Sequence, residues 1–205
     1  MTKNNEILAN GINVIYAFGK HPEVADPYIL FLAGTTSWNS ELIYESWRRV
    51  FLNRIGTEKG LKNNIVICIP EPQFGQFTEE QSKHLIEWET EFLEYSHTHA
   101  YWLNTYWSFE QAIANTNEHS YVYYIDGDSA NIGITVRHEL GVSFGRLKYG
   151  EGDFNLIIGA PSDAQSLEWV KIYSKLHSLP VYFSENKSVA FSEEWYQNIL
   201  KILQA

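Results

Sequence analysis

Short, uninterrupted apolar runs alternate with segments of helical period along most of this 205-residue chain. That alternation restricts the fold more than any other feature. A strand that is apolar at every residue must be covered on both faces, and the segments lying between such runs here have the period of helices. Tyr28 to Ala33 is one such run. It ends in Gly34-Thr35-Thr36 and leads into a segment where Ile43, Trp47, Val50 and Phe51 recur at helical spacing. Ile65 to Ile69 is a second run, stopped by Pro70-Glu71-Pro72 because prolines cannot continue a central ladder. Ala100 to Leu103 reads as a third strand, Phe154 to Ile158 as a fourth and Val181 to Phe183 as a short fifth. Capping boxes at Thr78-Glu79-Glu80-Gln81 and Ser162-Asp163-Ala164-Gln165 predict helices, the second with Leu167, Val170, Tyr173 and Leu176 on one face. Ser192 caps a last helix carrying Trp195, Ile199 and Leu203. The expectation is one α/β domain over residues 1–205, three layers with about five mostly parallel strands, and ligands beyond the carboxyl ends of those strands. Residues 104–133 fit the alternation poorly. Tyr121 to Ile125 looks like a strand and Asp126-Gly127-Asp128 like a turn, and the whole stretch is read as an insertion near the site.

Composition narrows the partners. Fifteen Lys and Arg against twenty-five Asp and Glu leave a net charge of −10, which removes electrostatic attraction to nucleic acid polymers and anionic membranes. No apolar run reaches membrane-spanning length, and Glu6 falls where a signal peptide would be apolar. A single cysteine, Cys68, lies in an apolar run and reads as inert filling, so a cytoplasmic location is expected. There is no Walker loop and no GxGxxG motif, and the position four residues after His138 is Val142 rather than a second histidine. Neither a metal nor a cofactor is expected. Aromatic residues make up 15%, as a heavy core or as stacking surfaces for a flat ligand, with Trp38, Trp88, Trp102 and Trp107 the candidates for the latter.

Two carboxylates stand out. On the Thr78 helix, Glu89 lies four residues after Leu85 and four before Leu93, inside the apolar stripe, whereas Glu87, Glu91 and Glu94 fall on another face. A carboxylate in that position requires either a partner charge or a cavity. In Gly133-Ile134-Thr135-Val136-Arg137-His138-Glu139-Leu140-Gly141, a helical reading puts Val136, Leu140, Phe144 and Leu147 inward and Glu139 at the edge of the stripe. Gly141 and Gly145 would let this helix approach the sheet closely. With Thr135 as N-cap, Glu139 falls in or just past the first turn, where the helix dipole favours its ionised form. Two such carboxylates meeting at the strand ends suit glycosidic chemistry, one attacking the anomeric carbon and the other handling protons. The competing reading makes both of them partners of basic residues such as Arg48 or Arg137. Gly34-Thr35-Thr36 offers backbone NH groups and hydroxyls to a sugar or phosphate, against a plain turn.

These residues resemble the nucleoside 2-deoxyribosyltransferases and a branch of proteins like them. The matching elements are Ile29-Leu30-Phe31-Leu32-Ala33-Gly34-Thr35, Ser46-Trp47-Arg48, Ile69-Pro70-Glu71-Pro72, Ile86-Glu87-Trp88-Glu89, Thr135-Val136-Arg137-His138-Glu139-Leu140-Gly141 and Ile158-Gly159-Ala160-Pro161, in order from Tyr28 to Phe183. The resemblance implies a flavodoxin-like or Rossmann-like sheet and cleavage of an N-glycosidic bond through a covalent deoxyribosyl-enzyme intermediate. It implies Glu139 as nucleophile, Glu89 as the acidic group assisting at the base, and walls formed by Gly34, Thr35, Thr36, Trp47, Glu71 and Pro72. Arg137 and the Thr35 loop are the candidates for a 5′-phosphate. Gly133 departs from the pattern, which carries Asp six residues before the nucleophile. The expected function is transfer of a 2-deoxyribosyl group between nucleobases by an association of like subunits. The alternatives are hydrolysis of nucleoside monophosphates or NAD, and a nucleotide-binding module of the same fold without turnover.

Overall fold

A computed structural model describes residues 5–16, 22–35, 46–69, 71, 73, 119–127, 132–149, 155–186 and 190–204. Seven strands form one sheet: β1 (Asn5–Ile7), β2 (Asn13–Tyr16), β3 (Tyr28–Gly34), β4 (Ile65–Ile69), β5 (His119–Tyr124), β6 (Asn155–Pro161) and β7 (Val181–Ser184). Their order across the sheet is β1-β2-β4-β3-β5-β6-β7, parallel throughout except for β1 at the edge. The described helices are α1 (Trp47–Ile55), α2 (Ile134–Tyr149), α3 (Glu168–Leu176) and α4 (Glu193–Gln204). The fold is therefore α/β and mostly parallel, with more strands than the apolar runs alone suggest.

The pleat sorts each apolar run onto two faces. Along β3, Tyr28, Leu30 and Leu32 join one buried cluster while Ile29, Phe31 and Ala33 join the other. Helices α1 and α4 cover the first face through Trp47, Phe51, Trp195 and Ile199, and α2 covers the second through Val136, Leu140 and Phe144. The chain steps from β3 to β4 in one direction across the sheet, and from β5 to β6 to β7 in the other. Parallel crossovers keep one hand, so connections running in opposite directions lie on opposite faces. The core order β4-β3-β5-β6-β7 reverses between β3 and β5. That reversal opens a crevice at the carboxyl ends of those two strands, where open α/β sheets hold ligands.

Several local expectations change in three dimensions. Residues 119–124 are not part of an insertion: β5 lies between β3 and β6 at the middle of the sheet, with Leu32 opposite Val122 and Val122 opposite Ile157. The β1–β2 hairpin was not expected, although Asn10-Gly11 is a hairpin turn signal, and Gly11 adopts φ +87°. Helix α3 begins at Glu168 rather than at the Ser162 box, because the preceding backbone is claimed elsewhere. The Gln165 amide donates to the Gly127 carbonyl, and the Gln165 and Ser166 carbonyls accept from Arg137. Leu167 and Val170 are buried as expected, whereas Tyr173 and Leu176 are exposed, as is Val50 on α1. Ser192 does cap α4, accepting from the Trp195 amide at 3.2 Å. The strand at 100–103 and the Thr78 helix lie outside the described residues.

The close approaches of helix to sheet occur at strand glycines. Gly34, Tyr124 and Gly159 stand in one row across β3, β5 and β6. Trp47 lies over Gly34 and Trp195 over Gly159, with Tyr124 between the two indoles at 5.2 and 5.6 Å. At Gly141 and Gly145 of α2 a Cβ meets nothing within 4 Å among the described residues, so the expected glycine seam is not where α2 meets the sheet. A Cβ at Gly159 falls 2.7 Å from the Trp195 ring. Gly159→Ala is expected to destabilise the domain by about 1–3 kcal/mol through overpacking, read as a lower urea midpoint; an unchanged midpoint refutes this role.

Candidate functional site

At the carboxyl end of β3, three backbone carbonyls, those of Leu32, Gly34 and Thr35, meet one guanidinium. Arg48, on the first turn of α1, donates from Nε to the Leu32 carbonyl (3.0 Å), from Nη2 to Gly34 (2.7 Å) and from Nη1 to Thr35 (3.2 Å). Nη1 also meets Glu71 Oε1 at 2.5 Å, and both side chains are 0% exposed. Ser46 positions this arrangement from the start of α1. Its Oγ accepts from the Arg49 amide and donates to Glu71 Oε2. Glu71 therefore counters a buried cation rather than lining a ligand wall, and the ion pair of Arg48 is with Glu71. An unpaired buried charge is far costlier than an absent one.

Across the crevice, Asp126 follows β5. Its Oδ1 accepts from the Thr35 amide at 3.2 Å, which joins the ends of β3 and β5 at the point where the strand order reverses. Burial raises the pKa of its carboxyl, while Arg48, the Thr35 side chain, its own backbone and the Thr35 amide oppose that rise. The Thr35 amide is thus occupied and not offered to a phosphate. Thr35 Oγ1 is buried with no hydrogen-bond partner among the described residues. It lies against Gly133, where φ is +67° and a Cβ would fall 2.6 Å from Oγ1. A side chain at that position would strain the backbone and force Thr35 to shift. Asp126 escaped the sequence reading because Asp-Gly is an ordinary turn signal. The clue was its place directly after an apolar, β-branched and aromatic run.

Helix α2 leaves this crevice. It begins at Ile134, with the Arg137 amide donating to the Gly133 carbonyl, so Thr135 sits inside the first turn and not at the cap. Glu139 consequently lies in the second turn, where the helix dipole has weakened. It is 3% exposed and lies on the sheet-facing side with Val136, Leu140 and Ser143, and Ser143 reaches the Tyr123 hydroxyl of β5 at 2.9 Å. Arg137 is not poised for a phosphate. Its Nε, Nη1 and Nη2 donate to the carbonyls of Ile132, Ser166 and Gln165, fastening the loop after β6 to the start of α2.

Of the expected site residues, Gly34, Thr35, Arg137 and Glu139 come to these strand ends, with Glu71 buried beneath them. Trp47 does not line the site. It is buried in the aromatic cluster with Tyr124 and Trp195. Thr36, Pro72 and Glu89 lie outside the described residues, as do Trp38, Trp88, Trp102 and Trp107. Cys68 is buried in β4, and desolvation pushes its thiol pKa up, in keeping with an unreactive side chain. Among the described residues no three His, Cys, Asp or Glu side chains gather as a metal site requires, and no helix is long and apolar enough to cross a membrane. A comparison of the chain with protein-family models and with curated proteins finds no match.

Glu71→Gln removes one member of the buried pair and is expected to cost about 3–5 kcal/mol by urea unfolding, with Arg48→Met/Glu71→Leu recovering part of the loss. A double variant whose loss equals the sum of the losses of Glu71→Leu and Arg48→Met alone would show that the pair is not coupled. Asp126 has the opposite sign. A carboxyl whose folded pKa is raised binds more protons folded than unfolded, so its contribution to stability falls as pH rises from the ordinary carboxylate range through the folded pKa. Asp126→Asn keeps an acceptor for the Thr35 amide, so its melting temperature is expected to exceed that of the parent protein at pH 8. That margin should shrink at pH 4; a lower melting temperature at pH 8 would contradict the assignment.

Proposed function

We propose that this chain acts on N-glycosidic bonds, transferring a 2-deoxyribosyl group between nucleobases through a covalent intermediate on Glu139. The observation that carries this reading is the burial of Glu139 on the helix that leaves the central strand at the reversal of strand order. A carboxylate kept from water at a ligand crevice suits a nucleophile. In the first step a Glu139 oxygen bonds to C1′ as the C1′–N bond breaks, and the departing base takes a proton, which the family resemblance assigns to Glu89. In the second, the nitrogen of another base attacks C1′, the ester bond to Glu139 breaks and the incoming base releases a proton. Two inversions restore the configuration. Interception of the ester by water would make the protein a hydrolase.

The choice of donor has support in the geometry. Among the described residues at the crevice, Arg48 is neutralised by Glu71 and Arg137 is spent on carbonyls, while the Thr35 amide is held by Asp126. A phosphate needs an available cation or a cluster of NH groups, and a neutral nucleoside does not. That favours nucleosides over nucleoside monophosphates or NAD.

The test is chromatography of a deoxynucleoside panel incubated with an excess of a different free base. The protein is expected to form the exchanged nucleoside, and Glu139→Gln, at equal folded concentration, to lose roughly 10³-fold or more of that turnover. Free base and sugar without exchange would move the assignment to a hydrolase. Undiminished exchange in the variant would remove Glu139 as nucleophile.

A further inference from the structure

Asp126 is a residue the fold has reason to avoid. It sits where burial disfavours its ionised form. Its one hydrogen bond within 3.5 Å among the described residues, from the Thr35 amide, needs only one neutral acceptor oxygen, which asparagine would supply as well. What a carboxylate adds is a second acceptor oxygen. At the same strand ends Thr35 Oγ1 is buried with no hydrogen-bond partner within 3.5 Å among the described residues, yet near enough to the Asp126 carboxyl to favour its ionised form. Two groups that can accept hydrogen bonds thus stand together at the reversal of strand order, and Glu139 lies on the helix that begins there. Buried polar groups are satisfied by protein, water or ligand.

Resting on the glycosidic reading of the same crevice, we infer that Asp126 contacts the ligand: with Oδ1 held by the Thr35 amide, its other oxygen accepts a hydrogen bond from a sugar hydroxyl of the bound nucleoside. A nucleophile directed at C1′ brings the sugar, rather than the far edge of the base, towards these strand ends. Sugar hydroxyls are the donors an acceptor-only group selects. The arrangement sets one polarity for the pocket. A carboxylate at this position repels a phosphate and binds a hydroxyl.

Asp126→Asn separates a ligand contact from a purely structural link, because the amide oxygen still accepts from Thr35 while the second acceptor becomes a donor. Calorimetric titration in the Glu139→Gln background, which prevents turnover, uses 2′-deoxyadenosine, 2′,3′-dideoxyadenosine and 2′,5′-dideoxyadenosine. Asp126→Asn is expected to weaken 2′-deoxyadenosine by about ten- to hundredfold, the worth of one charge-assisted hydrogen bond. The two proteins should bind equally the one analogue that lacks the contacted hydroxyl. Equal affinities of the two proteins for all three nucleosides would overturn the inference. So would equal affinity of the parent for all three, a measurement that stands even if the variant does not fold. Binding by the otherwise unaltered protein without any turnover overturns the glycosidic reading alone, and the Asp126 comparison still decides the contact. Absence of nucleoside binding overturns both.

Discussion

The end of the sheet depends on one guanidinium. Past Phe31, β3 has no paired residue on its β4 side, and buried backbone acceptors left without donors are expensive. Arg48 answers three of them at once, at Leu32, Gly34 and Thr35. A cation in that position is tolerable only with an anion against it, and Glu71, just past β4, is that anion. The pair therefore joins α1, the end of β3 and the chain leaving β4, and it sets the path on which the Thr35 amide reaches Asp126.

From this follows the chemical character of the crevice. The described cations near it are consumed by the protein itself, Arg48 within the β3 end and Arg137 as a clamp on the 162–167 loop. The other polar side chains described at the strand ends are acidic or neutral: Asp126, Glu139 and Thr35. A site of this kind suits a ligand rich in hydroxyl and NH donors. The described aromatic cluster serves a different purpose. Trp47, Tyr124, Trp195, Phe51 and Phe191 interlock on the opposite face from α2, admitted by glycines on two strands, and so supply packing rather than a stacking platform.

Much of the framework was legible in the apolar runs. Tyr28–Gly34, Ile65–Ile69 and the inward stripe Val136, Leu140 and Phe144 fall where periodicity placed them, because a buried parallel strand and a one-sided helix leave different patterns. The rank of β5 was not legible. A run such as Tyr121 to Ile125 reports burial, but not whether the strand is central or peripheral, since that depends on pairings with residues far away in the chain. The Ser162 box failed for a related reason. Its capping groups were locally suitable, yet Arg137 and Gly127 compete for the same backbone and win.

The sequence alone determined that this protein is a layered α/β domain and that a carboxylate, Glu139, would stand near the edge of an apolar stripe, because hydrophobic period is a local property that folding must respect. Only the tertiary structure decided which charged groups are spent and which remain. Glu71 and Arg137 look like binding residues in a linear reading, Arg48 like a partner for Glu89 or Glu139, and Asp126 like a turn. The observed partners differ because hydrogen-bond satisfaction is settled between strand ends, where groups distant in sequence compete for the same partners.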